Sequence, residues 1–186
     1  TAIRSLGQIK DSRAVVYLIE GLGSNDPGLG QLLSDALIAF GAQATESLLE
    51  TLQQSKNENQ RFWSARILGA IKSSNAVLPL IMALKDHSAK VRDAAANALG
   101  LIKAVLAVRD LKETLLHDPV PNVRERAAQA LGLIADETAI GALGQALFGL
   151  EEQTRRRAME ALAAMGTKAA PIFLETLSRS DQGLAS

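Results

Sequence analysis

The sequence predicts an all-α fold, a right-handed α-solenoid of about six stacked helix pairs. Three observations predict it. One leucine returns at positions 6, 37, 68, 99, 131 and 162, spacings of 31, 31, 31, 32 and 31 residues, and so regular a period marks a repeat array. A second apolar residue follows each anchor by three, as Ile9, Phe40, Ile71, Ile102, Ile134 and Met165, which puts the two on one helix face. Hydrophobic residues make up 47% of the 186-residue chain but aromatics only 3%, so the core must be built from Leu, Ala, Ile and Val in thin, closely packed layers.

Each unit carries two helical patterns. The first has apolar residues eight, four and one before the anchor, as Val91, Ala95 and Ala98 before Leu99, or Val123, Ala127 and Ala130 before Leu131. The second places leucines near 12 and 16 after it, as Leu18 and Leu22, Leu80 and Leu84, Leu111 and Leu115, Leu143 and Leu147. Asp11, Ser74 and Asp136 stand where second helices begin and can accept from their open N–H groups, while "SNDPG", "KDHSAK" and "HDPVPN" mark turns between units. Pro171 falls in a first turn, whereas Pro79 is expected to distort its helix. No strand is expected. A pair of about 31 residues cannot bury its own apolar stripe, so neighbours must stack. Residues 1–186 therefore read as a single solenoid. The first residue, Thr1, and the lack of a polar capping unit point to part of a longer chain.

The charge balance narrows the function. With 20 Lys and Arg against 20 Asp and Glu, the formal net charge is zero, which disfavours nucleic acid or an anionic membrane as partner. Arg155, Arg156 and Arg157 form a local basic cluster, but no set of aromatics accompanies it for base stacking. No apolar run approaches the roughly 18 residues that a spanning helix requires, and no leader pattern opens the chain, so a cytoplasmic setting is expected. The chain has no cysteine, which excludes disulfides, thiolate catalysis and Cys-based metal sites. His87 and His117 are the two histidines, too few for a zinc site without other ligands, and no metal is expected. No phosphate loop, nucleophile elbow or paired-base constellation appears, so no catalytic residue is assigned.

The segments "VRDAAANALGLIK" and "VRERAAQALGLIADETAIGAL", with Asp86 six residues before Arg92 and Asp118 six before Arg124, resemble HEAT-like repeats of the short type named after phycobilisome lyases. The resemblance covers essentially the whole chain. It implies a structural Asp–Arg ladder made of Asp86, Arg92, Asp118 and Arg124. Arg61, with Ser55 in the Asp slot, is then expected to be available for another role. Repeats of this type occur in adaptors, scaffolds and accessory domains of enzymes as well as in bilin lyases, so the resemblance specifies fold more than function.

Two surfaces are candidates. Glu20, Glu50, Glu113 and Glu175 occupy one outward position of the second helices, with Tyr17 on the same face, and would form an acidic stripe suited to a basic protein partner. In "NQRFWSARIL", Phe62 and Trp63 take positions that are mostly polar in other units, and Phe62, almost opposite the core, is a candidate hot spot. Arg61, Trp63 and Arg66 are similar to an Arg–aromatic–Arg arrangement in E/F-type phycobilin lyases, which implies handling of a linear tetrapyrrole. The leading expectation is a non-catalytic scaffold or adaptor that binds another protein and needs no cofactor. The alternative is a phycobilin lyase subunit, or a bilin-handling relative, acting on a phycobiliprotein with a second HEAT-like chain and a linear tetrapyrrole bilin as ligand.

Overall fold

The structure, a computed structural model, describes residues 13–172 and Leu174. Every regular element among them is helical. The anchor Leu6 and the cap candidate Asp11 lie outside the described residues. The chain divides into two compact units, Thr1–Ala104 and Val105–Ser186.

The first unit holds α1 (Arg13–Gly21), α2 (Pro27–Phe40), α3 (Thr45–Gln54), α4 (Glu58–Ala70), α5 (Val77–Ala83) and α6 (Ala89–Ile102). The anchor helices form one layer, α2 against α4 and α4 against α6, while α1, α3 and α5 follow one another in a second layer. Successive helices join the layers, α1 on α2, α3 on α4 and α5 on α6. In the second unit, α7 (Val108–His117) packs on α8 (Pro121–Ile134), and α9 (Ile140–Gly149) packs on α10 (Glu152–Ala164). There α8 stacks on α10 and α7 on α9, which is the same two-layer arrangement.

Local chemistry starts these helices. Asp26 accepts from the backbone N–H groups of Gly28 and Leu29 at the head of α2, and Asn57 from those of Asn59 and Gln60 at the head of α4. Pro27 and Pro121 occupy opening positions, where no intrahelical N–H is needed. The anchors Leu37, Leu68, Leu99, Leu131 and Leu162 are fully buried. At α5 the expected distortion by Pro79 does not occur: Ser74–Ala76 form a 3-10 turn, α5 starts only at Val77, and Pro79 falls in the first turn, where its missing N–H costs nothing.

How closely the anchor helices approach depends on the residue after the anchor. A Cβ on Gly69 would stand 2.6 Å from both Cα and Cβ of Ala98, and one on Gly132 would stand 2.8 Å from Cβ of Ala161, so these seams bring backbone nearly onto backbone. Between α2 and α4 the corresponding pair is Ile38 and Ile67, and these two helices approach each other less along their length. Trp63 fills that seam. A Cβ on Gly30 would lie 2.6 Å from Cε2, Cζ2 and Nε1 of the Trp63 ring, so the glycine in the place of the recurring arginine is what makes room for the indole.

Each anchor helix that is described ends at one position of positive φ, four residues after its anchor. Gly41, Lys72, Lys103, Ala135 and Gly166 all adopt positive φ, between 53° and 64°. At Lys72 and Lys103 the next residue donates back to the anchor carbonyl, Ser73 to Leu68 at 3.1 Å and Ala104 to Leu99 at 3.0 Å, closing a Schellman-type turn.

Candidate functional site

Of the arginines that recur seven residues before the anchor, Arg61 and Arg124 are tethered at both ends of the guanidinium, Arg92 reaches a main-chain carbonyl, and Arg155 is exposed. Arg61 Nη1 donates to the Ser55 carbonyl at 2.9 Å, Arg92 Nη1 to the Asp86 carbonyl at 2.9 Å, and Arg124 Nη1 to the Asp118 carbonyl. The constant partner is thus a backbone carbonyl six residues upstream, which any residue type supplies. Side-chain carboxylates are taken from the turn one repeat further on. Arg61 Nε and Nη2 bind Asp86 at 2.8 and 3.0 Å, and Arg124 Nε and Nη2 bind Glu151.

Two expectations are corrected here. Arg61 is not available for another role: it is 4% exposed and its donors are engaged by Ser55, Asp86 and His87. The carboxylate of Asp86 pairs with Arg61 of the preceding repeat, whereas Arg92 meets the Asp86 main chain. The spacing of six marks a carbonyl contact, and sequence alone does not separate it from a carboxylate contact. Asp86 also accepts from the Ser88 N–H at 2.8 Å. Burial works to raise its pKa, but the Arg61 and Ser88 hydrogen bonds and the nearby positive charge prevail and hold its carboxyl below the usual range. Asp118 accepts from the Val120 N–H in the equivalent turn, while Glu151 is held below its ordinary pKa by its own backbone N–H and by Arg124.

The aromatic patch is a packed cluster. Trp63 is 7% exposed, its ring edge-on to Phe62 at 5.1 Å between centroids. Arg66 lies over both rings, 4.8 Å from the Trp63 centroid and 5.6 Å from that of Phe62. Phe62 is half-buried. The Arg61–Trp63–Arg66 trio does not converge on one ligand: Arg61 turns to the α5–α6 turn, Arg66 covers the indole, and Gly30 lies against its edge.

The acidic positions are solvent-facing. Tyr17, 73% exposed, and Glu20 lie on α1 and Glu50 on α3 in the first unit, and Glu113 is exposed on α7 in the second. Glu175 lies outside the described residues. Of the basic cluster, Arg155 and Arg156 are exposed, while Arg157 binds Glu125 at 2.8 Å and Glu160 at 2.9 Å. No group of His, Asp and Glu able to hold a metal ion occurs among the described residues. Nor is any described helix long and apolar enough to cross a membrane.

Sequence reasoning missed one feature of the first unit, a cleft of about 490 Å³ between the ends of α3 and α5. Leu52, Pro79, Met82 and Ala83 give it apolar walls. The Arg61–Asp86 pair lies at one side with His87, whose Nε2 is 3.1 Å from Arg61 Nη2 and whose Nδ1 is 3.5 Å from Asp86 Oδ1. Lys56 stands at the rim, exposed and without a partner among the described residues. The only signal in the sequence was that Met82 stands at the position that holds Glu20, Glu50, Glu113 and Glu175 of the acidic stripe, as Gln145 does in another repeat.

The model of the HEAT repeats matches residues 45–131 and 108–184. The chain belongs to the HEAT repeat family. The PBS lyase HEAT-like repeat matches residues 1–24. Among curated relatives, this HEAT repeat chain is 34% identical over 105 residues to the bilin biosynthesis protein RpcF of Synechococcus sp. (strain WH8020), covering 56% of this chain and 50% of that protein. It is 35% identical over 103 residues to the phycocyanobilin lyase subunit beta of Thermosynechococcus vestitus, covering 55% and 48%. The chain spans about half the length of the curated relatives it matches. In solved structures it resembles a chain of the CpcE–CpcF complex of phycocyanin lyase from Nostoc sp. PCC7120, with a TM-score of 0.74 and 27% identity over 81% of this chain and 99% of that one. These relatives overturn the expectation of a non-catalytic scaffold. The proteins it is similar to are lyase subunits and bilin biosynthesis proteins, and a scaffold-only reading rested on the lack of catalytic residues within one HEAT repeat chain.

Proposed function

We propose that this HEAT repeat protein is a component of a phycobilin lyase, acting on a phycobiliprotein together with a second HEAT-like chain and handling a linear tetrapyrrole. The observation that carries the reading is the likeness to the CpcE–CpcF complex, which extends over 99% of the matched chain. Composition fits a shared task. With no cysteine, residues 1–186 offer no thiol to a bilin. With no metal cluster among the described residues and no catalytic constellation in the sequence, its contribution is to bind and orient bilin or acceptor. Positioning of this kind is within the means of a two-layer array built on buried Leu anchors and Arg tethers.

The test is reconstitution. An apo-phycobiliprotein subunit is incubated with phycocyanobilin and the companion HEAT-like chain, with and without this protein, and then denatured. Bilin colour that stays with the acceptor band only when both chains are present supports the reading. Equal colour without this chain refutes it.

A further inference from the structure

We propose that the cleft between α3 and α5 is the bilin seat of this chain, with Lys56 taking a propionate and the apolar walls taking the tetrapyrrole body. The proposal rests on the lyase reading above and goes beyond it in assigning the site. A linear tetrapyrrole presents an extended, flat, conjugated body with carboxylate arms, so its site needs apolar walls, a flat contact surface and a cation at the rim. The cleft has all three, and at about 490 Å³ it lies within the range of small-molecule sites.

The walls are Leu52, Pro79 and Met82. Met82 is 69% exposed, an adaptable thioether standing in a layer whose neighbouring equivalents are the carboxylates Glu20 and Glu50. Its presence leaves this repeat without the carboxylate that would repel a propionate. The flat surface is His87. Its Nε2 stands 3.1 Å from Arg61 Nη2 and its Nδ1 3.5 Å from Asp86 Oδ1, while the side chain remains 81% exposed. Arg61 and Asp86 neutralise each other. The charge left at the rim is therefore the Lys56 ammonium, which has no partner among the described residues. At the aromatic patch of α4, by contrast, the Trp63 ring is 7% exposed and already covered by Arg66.

Titration of the full chain with phycocyanobilin, followed by visible absorption and induced circular dichroism, tests the assignment. The wild type should show saturable binding. Lys56→Ala should weaken it about tenfold, as expected for loss of one charge-assisted contact, and Met82→Asp should weaken it at least as much by placing a carboxylate against the propionate. Both residues are exposed, so far-ultraviolet dichroism should be unchanged. Arg66→Ala should bind as the wild type does. Absence of binding to the wild type, full affinity in Met82→Asp, or loss of affinity in Arg66→Ala instead would each overturn the cleft. Because the titration uses this chain alone and the reconstitution uses the complete mixture, active reconstitution without binding here refutes the seat and leaves the lyase reading standing, whereas binding without reconstituted activity does the reverse.

Discussion

Arg61 holds Asp86 through both Nε and Nη2, at 2.8 and 3.0 Å, and so joins the head of α4 to the turn that opens α6. With side-chain exposures of 5% and 12%, the pair is largely withdrawn from solvent. Removing one partner leaves the other as an uncompensated, poorly solvated charge. Arg61→Ala should therefore destabilise the protein by on the order of 3 kcal/mol, read as a lower urea midpoint at unchanged slope. Arg61→Lys should recover little, because an ammonium cannot reproduce the two-pronged contact while also reaching the Ser55 carbonyl.

The same pair makes stability depend on acid. Asp86 has its pKa depressed in the folded state, so its contribution is present above the ordinary carboxylate range and is lost as pH falls through that range to the lower folded value. Thermal midpoints measured from neutral pH downward should drop there, and Asp86→Asn should start lower at neutral pH and lose less on acidification. A parallel displacement of the two curves would contradict the assignment.

Gly30 is expected to be intolerant of a side chain. Its Cβ would stand 2.6 Å from three ring atoms of Trp63, an indole packed on a helix and unable to slide aside cheaply. Gly30→Ala should cost about 1–3 kcal/mol by overpacking. Trp63 is the only tryptophan, so its emission reports the event directly: it should move to longer wavelength as the ring is pushed toward water.

Three of the five positive-φ positions carry a side chain that left-handed backbone disfavours, Lys72, Lys103 and Ala135. Lys103→Gly and Ala135→Gly should each raise stability by up to about 1 kcal/mol, since the native strain relieved exceeds the entropy that glycine adds to the unfolded chain. Gly41→Ala, at the equivalent place, should do the opposite. Calorimetric midpoints for the three variants check the sign at each position.

Much of the fold was legible because the repeat speaks in side chains. Leu68, Leu99 and Leu131 announce their burial by recurrence, and the three-residue offset to Ile71, Ile102 and Ile134 announces the helix. What stayed hidden was carried by backbone or by distance. The Arg tether ends on the carbonyls of Ser55, Asp86 and Asp118, and a carbonyl has no letter in the sequence. Trp63 stood out as an anomaly, but its explanation lies at Gly30, 33 positions earlier and on another helix. Nor does the spacing of Leu80 and Leu84 encode the 3-10 turn over Ser74–Ala76 that delays the start of α5 to Val77.

If this HEAT repeat chain serves bilin attachment as proposed, it should set the initial rate of chromophore attachment to an apo-phycobiliprotein subunit. The rate is followed as this protein is added to a fixed amount of the companion chain and phycocyanobilin. The rate should rise with added protein and saturate as the companion chain is matched, with Met82→Asp shifting the bilin dependence to higher concentration. A rate independent of this protein would contradict the proposal.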